Sequence, residues 1–103
     1  MRLRWPYPRT PELGRNLPSN FEEGEREFDQ RVKAQFPVGT HEAEVVMALR
    51  RQGFHFDPAL PLDSCKSASI RQGIVIQKLW SVRWRATDQA IDEIWGVYGA
   101  IAP

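Results

Sequence analysis

Along Lys78 to Thr87 the chain alternates: Trp80, Val82, Trp84 and Ala86 share one parity, while Ser81, Arg83, Arg85 and Thr87 share the other. That period of two is the pattern of a half-buried antiparallel strand. Two tryptophans on one face need cover from another layer, and the periodicity upstream supplies it. Phe21, Phe28, Val32 and Phe36 recur at helical spacing after Ser19 and Asn20, either of which can cap the helix. Glu22 would complete a Ser-x-x-Glu capping box, Arg31 and Lys33 suit the far end of the dipole, and Pro37 ends the helix. The acidic run Glu22, Glu23, Glu25, Glu27 and Asp29 reads as a solvated, dipole-matched face.

A second helix follows from about His41 to Gln52, with Thr40 placed to cap it and Val45, Val46 and Leu49 on its apolar face. Gly53 and Phe54 write a Schellman-type stop. Phe54 to Asp57 alternates and predicts a short strand, with His55 opposite the two phenylalanines. Pro58, Pro61, Asp63 and Ser64 predict a loop, and a turn at Gln72-Gly73 makes Ser67 to Arg71 another strand. Ile74 and Ile76 share the register of Trp80, and Lys78 lies between them, so a bulge near Lys78 is expected. Thr87 to Ala90 predicts a turn. Ile91, Ile94, Trp95, Val97 and Tyr98 break parity, so the last strand is either bulged or buried on both faces, with Gly96 as the marker. The sum is an α+β fold: two N-terminal helices packed on a three- or four-stranded antiparallel meander, as a two-layer sandwich. Trp80, Val82 and Trp84 should form the seam against Phe28, Val32, Val45 and Leu49.

Pro6, Pro8, Pro11 and Pro18 make residues 1–19 a Pro/Arg-rich extended arm, in which Trp5 and Tyr7 keep a docking role open. Residues 20–103 form one α+β domain, since a chain of 103 residues is too short for a second core. Fourteen basic and thirteen acidic residues give a formal charge of +1, which lacks the field of a dedicated nucleic-acid binder. Cys65 is the only cysteine, so neither an intrachain disulfide nor a cysteine metal cluster can form. No apolar run approaches membrane-spanning length, and the N-terminus has neither a signal-peptide core nor a lipidation cysteine, so the chain reads as soluble. Met1-Arg2-Leu3-Arg4-Trp5-Pro6-Tyr7-Pro8 would nevertheless suit the stretch just after a membrane anchor.

The motif Gly39-Thr40-x-x-x-Glu44-Val45-x-x-x-Leu49, a terminating glycine and then an aromatic meander resembles the SmpA/OmlA (BamE) family of outer-membrane assembly proteins. The likeness spans about residues 38 to 98. It implies the helix-helix-strand-strand-strand fold shared with each repeat of the β-lactamase inhibitory proteins, and a place on the periplasmic side of the cell envelope. The chain departs from the lipoprotein members in having no signal peptide or acylated cysteine. It is similar, too, to small bacterial proteins with a Gly-Thr helix, a Gly-Phe stop and a Trp-x-Val-x-Trp strand, a likeness that brings no activity with it.

The expected function is a non-catalytic protein-interaction domain, in envelope assembly or maintenance if the resemblance holds and otherwise cytoplasmic. Arg83, Arg85, Trp95 and Tyr98 are the expected partner-binding residues, because surplus aromatics and arginines dominate binding hot spots. The alternative is a nucleic-acid module using the Arg83, Arg85 and Arg71 face, disfavoured because Trp80 and Trp84 lie opposite the arginines. His55, Asp57, Asp63 and Cys65 are neighbours in sequence but make no recognisable catalytic set, and no cofactor or metal is expected. Membrane contact is expected only through an anchor absent from this chain.

Overall fold

A computed structural model describes residues 10–58 and 65–101. Two helices, α1 (Phe21–Gln35) and α2 (Glu42–Arg51), precede strands β1 (His55–Phe56), β2 (Lys66–Gln72), β3 (Gln77–Thr87) and β4 (Ala90–Ile101). The strands form one antiparallel sheet in sequential order, so the α+β two-layer arrangement is observed. Phe28, Val32, Val45 and Leu49 are fully buried against Trp80, Val82 and Trp84, and Ala68, Ile70, Ile91 and Ile94 complete the same core. Both helices therefore lie on the face that carries the tryptophans.

Local chemistry sets the helix ends. Asn20, not Ser19, caps α1, its side chain accepting from the Glu23 N–H at 3.1 Å. The α2 terminus departs from expectation. Its N-cap is His41, without a side-chain cap, while the Thr40 hydroxyl turns back to the Pro37 carbonyl at 2.6 Å. The reason lies in the tertiary structure: the Glu42 N–H donates to the Gln89 carbonyl at 2.8 Å, so the turn before β4 satisfies a donor that a cap would otherwise serve. Gly39 N–H to Ile91 O and Ile91 N–H to Thr40 O, each 2.8 Å, lock the interhelix turn onto β4. At the other end Gly53 takes φ +95, the Phe54 N–H reaches Leu49 O and the Gly53 N–H reaches Arg50 O, which completes the Schellman stop.

The irregularity of the sheet is not where the sequence placed it. β3 begins at Gln77, and Ile74, Val75 and Ile76 stand in the β2–β3 loop at 73%, 69% and 63% exposure. Lys78 pairs with Gln72 and Ala100 at the exposed end of the sheet, so no bulge is needed to keep its charge out of the core. The bulge lies instead between Arg85 and Ala86, which pair with Glu93 and Ile91 and leave Asp92 extra on β4. That single residue reconciles the broken parity: Ile91 faces inward on one side of it, and Ile94, Gly96 and Tyr98 face inward on the other. Asp88 and Gln89 take φ 51 and 67 in the two-residue β3–β4 turn, matching the twist of a hairpin.

Gly96 is not a bulge but a close approach, since a Cβ there would lie 2.8 Å from Phe28 Cδ2 and 3.1 Å from Val32 Cγ2. The acidic face of α1 is similarly redefined. Asp29 accepts from the Gly96 N–H at 2.9 Å and Glu25 from the Tyr98 N–H at 3.1 Å, so two carboxylates one helical turn apart occupy outward donors of the edge strand β4.

Positions 1–9 of the expected arm, with Trp5 and Tyr7, lie outside the described residues, as do 59–64 of the expected loop. Residues 10–19 pack on the domain through a short 3-10 turn, Glu12–Gly14, in which Leu13 and Gly14 are buried. Arg31 Nη1 donates to Leu13 O and Arg15 O at 3.2 and 2.5 Å, and Gln52 Oε1 accepts from the Leu13 N–H at 3.2 Å. These bonds tie the turn to both helices.

Candidate interaction surface

On the sheet face away from α1 and α2, register places Ser67, Arg83 and Trp95 in one row across β2, β3 and β4. Ser69, Ser81 and Val97 form the next row, with His55 opposite Ser69 on β1. Arg85 pairs with Glu93 in an ion pair, and its guanidinium lies 5.3 Å from the centroid of the Trp95 ring. The rim of the surface is thus partly self-neutralised. Arg83 is exposed and has no acidic partner among the described residues.

Three of the four expected partner residues, Arg83, Arg85 and Trp95, are brought together on this face. Tyr98 is not. The bulge at Asp92 turns it inward, where it is 8% exposed, packs on Trp80 at 5.7 Å and on Phe21 at 5.3 Å, and has its phenol pKa pushed up by burial. It belongs to the core.

A polar cluster that sequence reading missed lies beside this surface. Asp57 Oδ2 accepts from the Ser67 and Ser69 hydroxyls, each at 2.8 Å, and the Ser69 and Ser81 hydroxyls are 3.1 Å apart. Serines spaced two apart on one strand, opposite another serine on the next, were the available signal. These hydrogen bonds zip the end of β1 to β2 and, through Ser81, to β3. Of the four residues that are neighbours in sequence, His55 stands exposed on β1, Cys65 is half-buried, Asp57 holds the serines, and Asp63 lies outside the described residues. None of His55, Asp57 and Cys65 lines the hollow of about 400 Å³ between the 3-10 turn and the helices, whose walls include Glu12, Arg15, Gln35 and Arg51. Among the described residues no group of three or more His, Cys, Asp or Glu is arranged to hold a metal ion.

Glu42 links the two layers. Its carboxylate accepts the Trp84 indole N–H at 2.8 Å and the Lys66 ammonium at 2.9 Å, giving the buried indole donor a partner. The hydrogen bond from Lys66 lowers its pKa, desolvation opposes that, and the Trp84 N–H adds to the lowering.

Fold and surface together define a small α+β domain with one sheet face free of helices among the described residues, and no described helix is long and apolar enough to cross a membrane. Compared with family models, with curated proteins and with solved structures, the chain matches none.

Proposed function

We propose that this chain is a non-catalytic protein-interaction domain that binds its partner on the outer sheet face, centred on Arg83 with Arg85 and Trp95 beside it. The supporting observation is the register Arg83↔Trp95 on a face that neither helix covers. An arginine with no acidic partner among the described residues, next to a half-buried aromatic, has the composition of an interface hot spot, and it suits a partner offering a carboxylate beside an apolar surface. The test compares cross-linked complexes captured with the full chain and with Arg83→Glu and Trp95→Ala. A partner held by the parent and lost from both variants, with unchanged melting behaviour, supports the reading; capture indifferent to both substitutions overturns it. Placement in the cell envelope rests on the SmpA/OmlA likeness of residues 38 to 98, and fractionation of cells expressing the natural gene would decide it.

One observation favours a second reading. Trp95, unlike Trp80 and Trp84, shares a face with Arg83 and Arg85, so a basic strand and a stacking ring do coincide. Binding of single-stranded oligonucleotide that weakens steeply with salt and is lost in Trp95→Ala would favour a nucleic-acid module. Absence of binding at low salt would dismiss it.

A further inference from the structure

Ile74, Val75 and Ile76 form the tip of the β2–β3 hairpin, and they are the three consecutive aliphatic side chains most exposed in the described chain, at 73%, 69% and 63%. Ile101, paired with Gln77, adds a fourth at 38% on the same end of the sheet. Such a run is not scattered surface apolarity. The charges on the two strands that carry it have one sign. Residues 64 to 87 carry Lys66, Arg71, Lys78, Arg83 and Arg85 and not one acidic residue. Lys66 and Arg85 have acidic partners in Glu42 and Glu93, whereas Arg71 and Lys78, which flank the tip on β2 and β3, are exposed and have none among the described residues.

We propose that this hairpin tip docks into the interface of an anionic lipid membrane, with Ile74, Val75 and Ile76 entering the acyl boundary and Arg71 and Lys78 contacting headgroup phosphates. A second copy of the chain is the poorer occupant, because joining tips would bring Arg71 and Lys78 against their equivalents. A protein groove is poorer too: the tip is convex and purely aliphatic, without the tryptophan, tyrosine or arginine anchor on which such grooves close. A lipid surface demands no shape match, rewards aliphatic insertion and attracts flanking cations.

The experiment is co-sedimentation of the full chain with vesicles of phosphatidylcholine alone and of phosphatidylcholine with phosphatidylglycerol. Binding to the anionic vesicles is expected to exceed binding to the neutral ones and to fall as salt rises. Arg71→Gln with Lys78→Gln should weaken anionic binding roughly thirtyfold, and Ile74→Ser with Ile76→Ser by at least about tenfold. Because these side chains are exposed, the urea midpoint should stay that of the parent; if the isoleucine pair fails to fold, Val75→Ser is read in its place and must also weaken binding. No binding of the parent to anionic vesicles overturns the proposal, and so does binding that the tip substitutions leave intact. Sedimentation equilibrium covers the other occupant: a concentration-dependent dimer abolished by Ile74→Ser with Ile76→Ser would assign the tip to a second copy and overturn the lipid reading.

Discussion

Replacing Gly96 with alanine tests how α1 is seated on the sheet. The added Cβ would lie 2.8 and 3.0 Å from two ring carbons of Phe28 and 3.1 Å from Val32 Cγ2. Carbon atoms prefer separations of about 3.5–4.0 Å, so the helix and strand must part by several tenths of an ångström. Phe28 and Val32 are both fully buried and have no free space into which to retreat. Overpacking of this kind costs roughly 1–3 kcal/mol, while the lower entropy of the unfolded alanine chain returns about 0.4–1 kcal/mol. A net loss of about 1–2 kcal/mol is expected. Urea unfolding followed by tryptophan fluorescence would read this as a midpoint lower by about 0.5–1 M at an unchanged slope of roughly 2 kcal/mol per M. Phe28→Leu removes the ring edge that the new methyl meets. In that background the cost of Gly96→Ala should shrink, giving a coupling of about 1 kcal/mol. A Gly96→Ala variant as stable as the parent, or costs that simply add in the double variant, would refute the close seating of α1 on β4.

Four further outcomes follow from individual contacts. Glu42 has its pKa lowered from its ordinary value of 4.5, so it stabilises the fold above that value and loses the contribution as pH falls through the folded-state pKa; unfolding midpoints measured down through this range should fall less steeply for Glu42→Gln than for the parent. Glu42→Ala strands the buried Trp84 indole donor and should cost about 1–3 kcal/mol at neutral pH by urea melt. Asp29→Ala removes the acceptor of the Gly96 N–H, so exchange of that amide should accelerate sharply in hydrogen-exchange NMR while β3 amides keep their protection. Gly14→Ala would press a methyl to within 2.8 Å of Trp80 Cδ1, and a loss of about 1–3 kcal/mol with altered near-ultraviolet dichroism is expected.

The parts of the fold legible in the sequence were those whose signal is local and repeated. Trp80, Val82 and Trp84 share one parity, and all three are buried, while Leu49, Gly53 and Phe54 carry their helix stop within six residues. Elsewhere, a local pattern was shared by two structures. Ile74 and Ile76 continue the parity of Trp80 without continuing its strand, because parity assigns a face but not the point at which pairing starts. Tyr98 could be assigned to either face until the position of the extra residue in β4 was known, and that position depends on pairing with Arg85 and Ala86. Thr40 has the chemistry of a cap, yet Gln89, 49 residues further along the chain, supplies the acceptor instead. The same limit hid the carboxylates of Glu25 and Asp29: their spacing puts them on one helix face, but nothing local says that this face borders a strand edge. Of the candidate surface, Arg83 and Arg85 follow from alternation alone, whereas Trp95 joins them only through register.

These placements separate the residues that hold the domain together from those free to bind. α1 occupies two outward donors of β4, the Asp57 and serine hydrogen bonds zip the short β1 to its neighbours, and the turn before β4 closes the start of α2. Strand addition at the β4 edge would have to displace Glu25 and Asp29, which leaves the outer face and the hairpin tip as the surfaces proposed for binding. Arg83, Ile74 and Ile76 are exposed, so substituting them should change stability by no more than about 0.5–1 kcal/mol. Gly96, Gly14 and Glu42 should behave in the opposite way, shifting the melt while leaving the affinity of the folded fraction unchanged. A substitution at Arg83 or Ile74 that lowered binding only in proportion to lost stability would make these side chains structural after all, and would remove the physical basis for placing a partner on either surface.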